Sequence, residues 1–170
     1  MVQDNGFKVA RFENEFRLTA ELLLPCKVDE IFPFFADAKN LALLTPSFLN
    51  FKIASTTAIE IKVGAVIDYH LRIRGLPLHW KSLISHWDPP CEFVDEQLRG
   101  PYRYWIHRHS FEDRGAETLV RDFVRYQVFG GSLVHDLIVK PDLIKIFAFR
   151  QEKLVERFCD SGEETLRRLS

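Results

Sequence analysis

The sequence predicts an α+β fold in which a curved antiparallel sheet wraps around a long C-terminal helix, with two short helices after the first strand. Through the middle of the chain, extended runs are joined by short turns, which is typical of an antiparallel meander. Near the C-terminus, Leu143, Phe147 and Leu154 recur with the spacing of one helical face. That apolar face must be buried, and the concave side of the meander is its only large partner, so we expect a cavity between helix and sheet.

The chain is predicted to begin with a loose lead-in followed by one strand. Residues 1–14 are mostly polar, whereas residues 16–24 alternate well enough for a strand that ends at Pro25. With 170 residues, of which 46% are hydrophobic, the chain has the size of one domain with a sizeable core. We therefore expect residues 1–170 to form a single domain.

Two short helices are expected after the first strand. Residues 28–35 predict a helix with Asp29 and Glu30 in its first turn, where negative charge suits the helix dipole. Residues 37–44 predict a second helical stretch, which stops before Pro46 because the residue ahead of proline disfavours helical geometry.

About six strands should follow, separated by turns rich in glycine and proline. The extended runs cover residues 48–55, 59–62, 66–74, 78–87, 93–98, 102–111 and 118–128. Gly130 and Gly131 should end the sheet. The long helix is predicted to begin at Asp142 as its N-cap, with Pro141 just outside it, and to end or be interrupted at Gly162.

The most informative pattern lies in residues 102–111. Trp105, His107, His109 and Phe111 fall on alternate positions, and a strand would project all four side chains to one face. Two large aromatics flanking two imidazoles are typical of a small-molecule site, whose wall is apolar in bulk and polar at a few points.

The same alternation, carried across the turns, predicts the rest of the cavity wall. The expected cross-strand pairs are Leu71–Trp80, Tyr69–Ser82, Asp95–Trp105, Gln97–Arg103, His107–Asp122 and His109–Val120. A slip of one residue would turn a whole strand to the other face. The predicted ligand-binding residues are Tyr69, Trp80, Ser82, His86, Asp95, Gln97, Trp105, His107, His109, Asp122 and Tyr126, together with Phe147 of the helix.

His107, His109 and Asp122 are the candidate catalytic residues, and four interpretations of them stay open. They could form an internal network in which Asp122 fixes the tautomer of an imidazole, or the same network could orient a ligand. A His–Asp pair could also move a proton, as a cyclase or hydrolase requires. A His-x-His pair could chelate zinc with His86 as third ligand, but the flanking aromatics suit an organic ligand better, so no metal is expected.

The remaining wall residues have structural alternatives too. Asp95 could form an ion pair with Arg103 or His107 rather than meet a ligand. The aromatic side chains of Tyr69 and Trp80 could belong to the core rather than to a platform for a ligand.

Composition excludes several other functions. The 23 Lys and Arg nearly balance the 24 Asp and Glu, which argues against a nucleic-acid surface. The sequence contains no run of about 18 apolar residues, so no transmembrane segment is predicted. The N-terminus lacks the apolar stretch of a signal peptide, and three widely spaced cysteines suit a reducing compartment, so we expect a cytoplasmic protein. No phosphate loop or nucleophile elbow is found, and no cofactor is expected.

Two segments carry a family resemblance. Residues 24–46, LPCKVDEIFPFFADAKNLALLTP, resemble the opening of the START, Bet v 1 and polyketide-cyclase (SRPBCC) superfamily. Residues 75–112, with the pattern W…WDPP…F.DEQ..GP…W.H.H.F, resemble a bacterial subgroup of its ligand-binding members. The resemblance spans roughly residues 16–158 and implies the helix-grip fold, a curved sheet gripping one long helix.

Three functions are compatible with these observations. The first is binding or transport of a hydrophobic small molecule, such as a lipid, isoprenoid, quinone or aromatic polyketide, with residues 45–48 flanking the entrance as a lid. The second is an enzyme of the cyclase, dehydratase or hydrolase type that uses the His/Asp set. The third is a protein-interaction module with a vestigial cavity, because a shared fold does not fix function.

Overall fold

An eight-stranded antiparallel sheet is the scaffold of the protein in the computed structural model, which describes residues 6–54 and 59–159. The strands are β1 Phe7–Phe12, β2 Glu15–Leu24, β3 Lys52–Ile53, β4 Val66–Ile73, β5 Leu76–Asp88, β6 Glu92–Arg99, β7 Tyr104–Asp113 and β8 Thr118–Gln127. Their spatial order is β1-β2-β8-β7-β6-β5-β4-β3. The long meander β4–β8 therefore closes against β2, as the predicted fold requires.

The helices lie where the predicted order puts them. They are α1 Val28–Phe35, the 3₁₀ helices Ala38–Ala42 and Ser47–Leu49, α2 Gly131–Val134, a π-helical turn His135–Val139 and α3 Lys140–Phe158. The α+β helix-grip architecture predicted from the sequence is thus confirmed. Within the described residues, no helix is both long and apolar enough to cross a membrane.

The expectation of a loose lead-in is wrong for residues 7–12. This segment pairs with β2 along its whole length, from Phe7 opposite Ala20 to Phe12 opposite Glu15. Glu13 adopts a left-handed φ of 53°, which fits the tight turn of a two-residue hairpin. Residues 1–5 lie outside the described residues.

The extended runs predicted at residues 48–55 and 59–62 are largely wrong. Residues 47–49 form a 3₁₀ helix, and only Lys52–Ile53 pairs with β4. Asn50 has a left-handed φ of 45°, which breaks an extended course, and Glu60 forms one isolated bridge with Asp37. Residues 55–58, including the end of the first run, lie outside the described residues.

The long helix begins before the predicted N-cap. Helical structure starts at Gly131, and Asp142 lies inside α3, where it accepts a hydrogen bond from Arg74 Nε at 2.9 Å. Pro141 lacks the N–H that an α-helix requires, and the preceding π-helical turn is a local change of hydrogen-bond pattern that accommodates it. The predicted stop at Gly162 lies outside the described residues.

The cross-strand register differs from the prediction by two positions at three places. A two-residue turn at Arg74 and Gly75, with φ of 51° and 83°, pairs Tyr69 with Trp80 rather than with Ser82. Likewise, the observed pairs across the next strands are Asp95–His107, His107–Val124 and His109–Asp122. Because side chains alternate with a period of two, an error of two leaves every side chain on its predicted face.

Two apolar clusters attach the helices to the sheet. The first packs Ile31 and Phe32 of α1 and Leu154 of α3 against the strands. The second packs Leu143 and Phe147 of α3 against the strands. These contacts hold α3 across the concave face and leave a cavity between them.

Candidate functional site

A cavity of about 200 Å³, counted as space that the centre of a water molecule can reach, lies between α3 and the concave face of the sheet. About 10–15 Å³ of such space already holds one water, so this cavity is large enough for an organic molecule. Eight of the predicted ligand-binding residues line it: Tyr69, Trp80, Ser82, Asp95, Trp105, His107, His109 and Phe147. The rest of the wall is mostly aliphatic and aromatic.

His86 does not belong to this wall, so its prediction as a ligand-binding residue is wrong. The register shifts between Ile84 and His86, which is the signature of a β-bulge. One extra residue in β5 turns His86 outward, where its side chain is 51% exposed and lies 3.3 Å from Glu92. Trp87 consequently packs inward against Phe32.

Gln97 and Tyr126 are not among the cavity-lining residues either, and both have structural partners. Gln97 Nε2 donates to the carbonyl of Tyr102 at 2.9 Å, and its Oε1 accepts from the Tyr102 N–H at 3.3 Å, so it fixes the turn before β7. Tyr126 is fully buried, with its hydroxyl 2.9 Å from Nε2 of His135 in the π-helical turn.

Asp122 lies behind the cavity wall and joins the two histidines to the helix. Its Oδ1 is 2.9 Å from His107 Nε2 and 2.9 Å from His109 Nδ1. Its Oδ2 accepts from Arg150 Nε at 3.0 Å. A carboxylate can only accept, so His107 Nε2 carries hydrogen, whereas His109 Nδ1 also lies 3.1 Å from Nη2 of Arg150, which can only donate. All four residues are buried.

Asp95 faces the same two imidazoles from the cavity side. Its Oδ2 lies 2.8 Å from His109 Nε2 and 3.7 Å from His107 Nδ1. The first contact is a hydrogen bond, whereas the second is too long for one. Among the described residues, Asp95, His107 and His109 are the group that could hold a metal ion, with one ligand atom from each lying within 4.8 Å of the others.

The carboxylates of this cluster are held ionised. Burial by itself would raise the pKa of Asp122, but the Arg150 charge and the histidine hydrogen bonds hold that pKa well below its usual value. Burial opposes ionisation of Asp95 as well, and the hydrogen bond from His109 outweighs it, so the pKa of Asp95 is lowered.

The two imidazoles differ in the direction of their pKa shifts. Burial lowers the pKa of His107, and repulsion from His109 adds to this effect. Burial also disfavours the charged form of His109, but interactions with Asp122 and Asp95 outweigh it and raise the pKa of His109. One strand therefore presents two imidazoles of different basicity side by side.

Arg150 is the functional candidate that sequence reasoning did not select. It lies on α3 three residues after Phe147 and four before Leu154, so it falls on the apolar stripe of the helix, and it is only 7% exposed. A charged side chain at a buried helical position needs a partner of opposite charge, and this was the available signal.

Aromatic side chains form the wall beside the polar cluster. The rings of Tyr69 and Trp80 stack with centroids 6.0 Å apart, and Trp105 meets Trp80 edge-on at 5.7 Å. Trp80 Nε1 donates to Ser82 Oγ at 3.0 Å, so the indole N–H is satisfied. These rings thus serve the core and the cavity at once.

The two 3₁₀ helices border the cavity on its outer side. Leu44, Thr45 and Phe51 line both the cavity and a neighbouring surface groove between this segment and α3. The segment predicted to flank the entrance therefore stands between the cavity and the surface.

No protein-family model and no curated protein matches the chain. Solved structures do match. Protein Ms6760 from Mycobacterium smegmatis superposes with a TM-score of 0.65 at 12% identity, over 91% of this chain and 98% of that one. Ginseng major latex-like protein 151 from Panax ginseng gives a TM-score of 0.64 at 12% identity, over 85% and 98%.

A START superfamily protein from Mycobacterium smegmatis is similar to the same degree, with a TM-score of 0.61 at 12% identity over 85% of this chain and 97% of that one. The superpositions span nearly the whole of each relative, so they compare complete architectures. At 12% sequence identity, these superpositions show a shared fold and carry no information about the site. The chain has the helix-grip fold of the START and Bet v 1-like proteins.

Proposed function

We propose that the protein binds a hydrophobic small molecule in the cavity between α3 and the sheet. The observation that carries the proposal is a mostly apolar cavity in which Asp95, His107 and His109 are gathered at one place on the wall, beside Arg150. Small-molecule sites combine apolar surface for affinity with a few polar groups for orientation. A lipid, isoprenoid, quinone or aromatic polyketide fits this description.

Apolar burial would supply most of the affinity. Each 100 Å² of apolar ligand surface removed from water contributes about 2.5 kcal/mol before the costs of ordering. The flat faces of Tyr69, Trp80 and Trp105 favour a ligand that contains a conjugated or aromatic ring.

The polar group of the ligand would meet the imidazole of His107. Its Nδ1 lies 3.7 Å from Asp95 Oδ2 and makes no hydrogen bond there, while Nε2 is committed to Asp122. Nδ1 can therefore accept a hydrogen bond from a hydroxyl group of a bound molecule.

Tryptophan fluorescence tests the proposal directly, because Trp80 and Trp105 line the cavity. A naphthoquinone, which quenches indole fluorescence on contact, should quench the protein saturably with one molecule bound per chain. Leu71→Phe should weaken this binding by partly filling the cavity. The matched control is Leu76→Phe at the start of β5, where the side chain is 70% exposed and does not line the cavity.

Native mass spectrometry of protein purified from its own host complements the titration. A defined hydrophobic mass that leaves on organic extraction would identify the ligand class. A protein that arrives empty and also takes up neither quinone nor lipid probes would contradict the proposal and favour an interaction module.

An enzyme using the same cluster is the second candidate, and the 2.9 Å contact between His107 and Asp122 is what favours it. His107→Gln separates the two. A binding protein should lose about 1–2 kcal/mol of affinity with the loss of one hydrogen bond. An enzyme that converts the extracted ligand should instead lose turnover by orders of magnitude while remaining folded.

A further inference from the structure

We propose that Asp95, His107 and His109 bind one divalent transition-metal ion at the cavity wall. This goes beyond the binding of a hydrophobic molecule and revises the expectation, drawn from the sequence, that no metal is held. The sequence pattern suggested His86 as a third ligand, but the β-bulge turns that residue to the surface and Asp95 takes its place.

The distances between the three ligand atoms suit a metal. His109 Nε2 and His107 Nδ1 lie 2.8 Å and 3.7 Å from Asp95 Oδ2, and all three atoms lie within 4.8 Å of one another. Zinc bonds of about 2.0–2.2 Å in tetrahedral geometry place neighbouring ligand atoms about 3.3 Å apart. Small side-chain rotations would bring the three atoms onto one ion.

Asp122 supplies the outer carboxylate that metal-binding histidines usually have. Its Oδ1 accepts from His107 Nε2 at 2.9 Å and lies 2.9 Å from His109 Nδ1. The opposite nitrogens, His107 Nδ1 and His109 Nε2, are the ones that face Asp95. One carboxylate that orients both imidazoles toward a common point is the arrangement seen around ligated metals.

The position of Asp95 also favours a cation. Its carboxylate lies beside the two imidazoles, while the guanidinium of Arg150 forms its ion pair with Asp122, 3.0 Å from Nε to Oδ2. A buried carboxylate needs a positive partner, which can be a proton on an imidazole or a metal ion.

A metal there would be open to the cavity. Asp95, His107 and His109 all line the cavity, so they approach the ion from the protein side and leave further coordination positions facing the bound molecule. Two imidazoles and one carboxylate suit Zn²⁺ or Fe²⁺. The remaining positions would take water or an oxygen atom of a ligand.

The test uses the full chain without a histidine tag, first stripped with a chelator and then titrated with Zn²⁺ against a chromophoric competitor. We expect uptake of one Zn²⁺ per chain, and uptake of Co²⁺ with visible ligand-field absorption typical of four- or five-coordinate nitrogen and oxygen ligation. The absence of stoichiometric uptake of either ion by the folded wild-type protein would overturn the proposal.

Variants locate the ion. Asp122→Asn removes the outer carboxylate, so it should weaken metal affinity by ~10–100-fold and shift the Co²⁺ spectrum. Asp95→Asn and His109→Gln each remove a direct ligand, so each should weaken metal affinity by more than that. His70→Gln is the control, since His70 and His79 form an exterior pair with ring centroids 4.9 Å apart. Uptake that depends on His70 and survives Asp95→Asn would overturn the assignment.

Quinone titration of the chelator-treated protein tests binding of a hydrophobic molecule independently of metal binding. Metal uptake is measured without any organic ligand, so its failure leaves the result of the quinone titration unaffected. Conversely, failure of quinone binding leaves the Zn²⁺ stoichiometry standing. Circular dichroism on each variant checks that loss of metal binding does not result from unfolding. If the variants unfold, the wild-type Co²⁺ spectrum decides whether the metal site exists.

Discussion

At the scale of single residues, Arg150 has the clearest structural consequence. Its guanidinium holds Asp122 through contacts of 3.0 Å and 3.2 Å in a buried setting. Arg150→Met would leave that carboxylate buried without its ion-pair partner, which should cost about 3–5 kcal/mol of unfolding free energy. Urea denaturation measures it.

The exposed Arg72 provides the control for this prediction. Arg72→Met on β4 should change the unfolding free energy by no more than about 0.5 kcal/mol, as is usual for surface substitutions. Equal effects of the two substitutions would show that the Arg150–Asp122 pair contributes nothing.

The lowered pKa of Glu15 predicts how the unfolding free energy depends on pH. The hydrogen bonds from Arg125, Tyr104 and Arg17 lower the pKa of Glu15 from 4.5 to about 2, although partial burial works against them. Since the pKa is lower in the folded state, the stabilisation is complete above about pH 4.5 and is lost as the pH falls toward 2.

The measurement compares wild type with Glu15→Gln by urea unfolding from pH 7 to pH 2. We expect the wild type to be more stable by a constant margin above pH 4.5, and the margin to shrink below it. A margin that stays constant to pH 2 would show that the carboxylate does not titrate differently in the two states.

Sequence reasoning at this scale was right about faces and wrong about pairs. The alternation placed His107, His109 and Asp95 on the concave side, and this survived register errors because each error was two residues. A one-residue bulge has the opposite effect, and it removed His86 from the site. Arg150 falls on the same helix face as Phe147 and Leu154, but the sequence does not show that its partner is Asp122.

At the scale of elements, α3 depends on its apolar stripe. Leu154 is 1% exposed and packs in the cluster that also contains Ile31 of α1. Leu154→Ala should destabilise the protein by about 2–5 kcal/mol, because it removes buried methyl groups and leaves a cavity. Ile144→Ala on the outer side of α3, where the side chain is 37% exposed, should cost clearly less in the same thermal or urea unfolding measurement.

The limits of element prediction have identifiable causes. Pro141 was expected just outside the long helix, whereas a π-helical turn lets the helix run through the proline. Residues 7–12 contain apolar side chains but stand in a mostly polar stretch, and as an edge strand they bury little, with only Phe7 and Val9 partly covered. The first outcome depends on the hydrogen-bond pattern within the helix, and the second on pairing with the neighbouring strand β2.

At the scale of the whole molecule, ligand binding should be visible as heat resistance. A ligand at 100 times its dissociation constant adds about 2.7 kcal/mol to the unfolding free energy. For a chain of 170 residues this corresponds to a rise in Tm of roughly 5–10 °C. A melting curve with the quinone measures the shift, and Leu71→Phe at the same quinone concentration should show a smaller one.

The overall architecture was predictable because its signals agree with one another. Three signals leave one arrangement in which all apolar faces are covered. They are an amphipathic helix without another partner, a meander with short turns, and two short helices after the first strand. The contents of the cavity are a different matter, since the fold accommodates many ligands and only the side chains at the wall distinguish them.

The bond between Arg150 and Asp122 joins α3 to β8, the strand next to the one that carries the two histidines, and this has a consequence for motion. Local separation of α3 from the sheet must break this bond, along with the apolar contacts of Phe147. A bound ligand or ion that strengthens the cluster would raise the free energy of this opening by the amount that it contributes there. Amide hydrogen exchange in α3 would then report occupancy of the cavity from the outside of the protein.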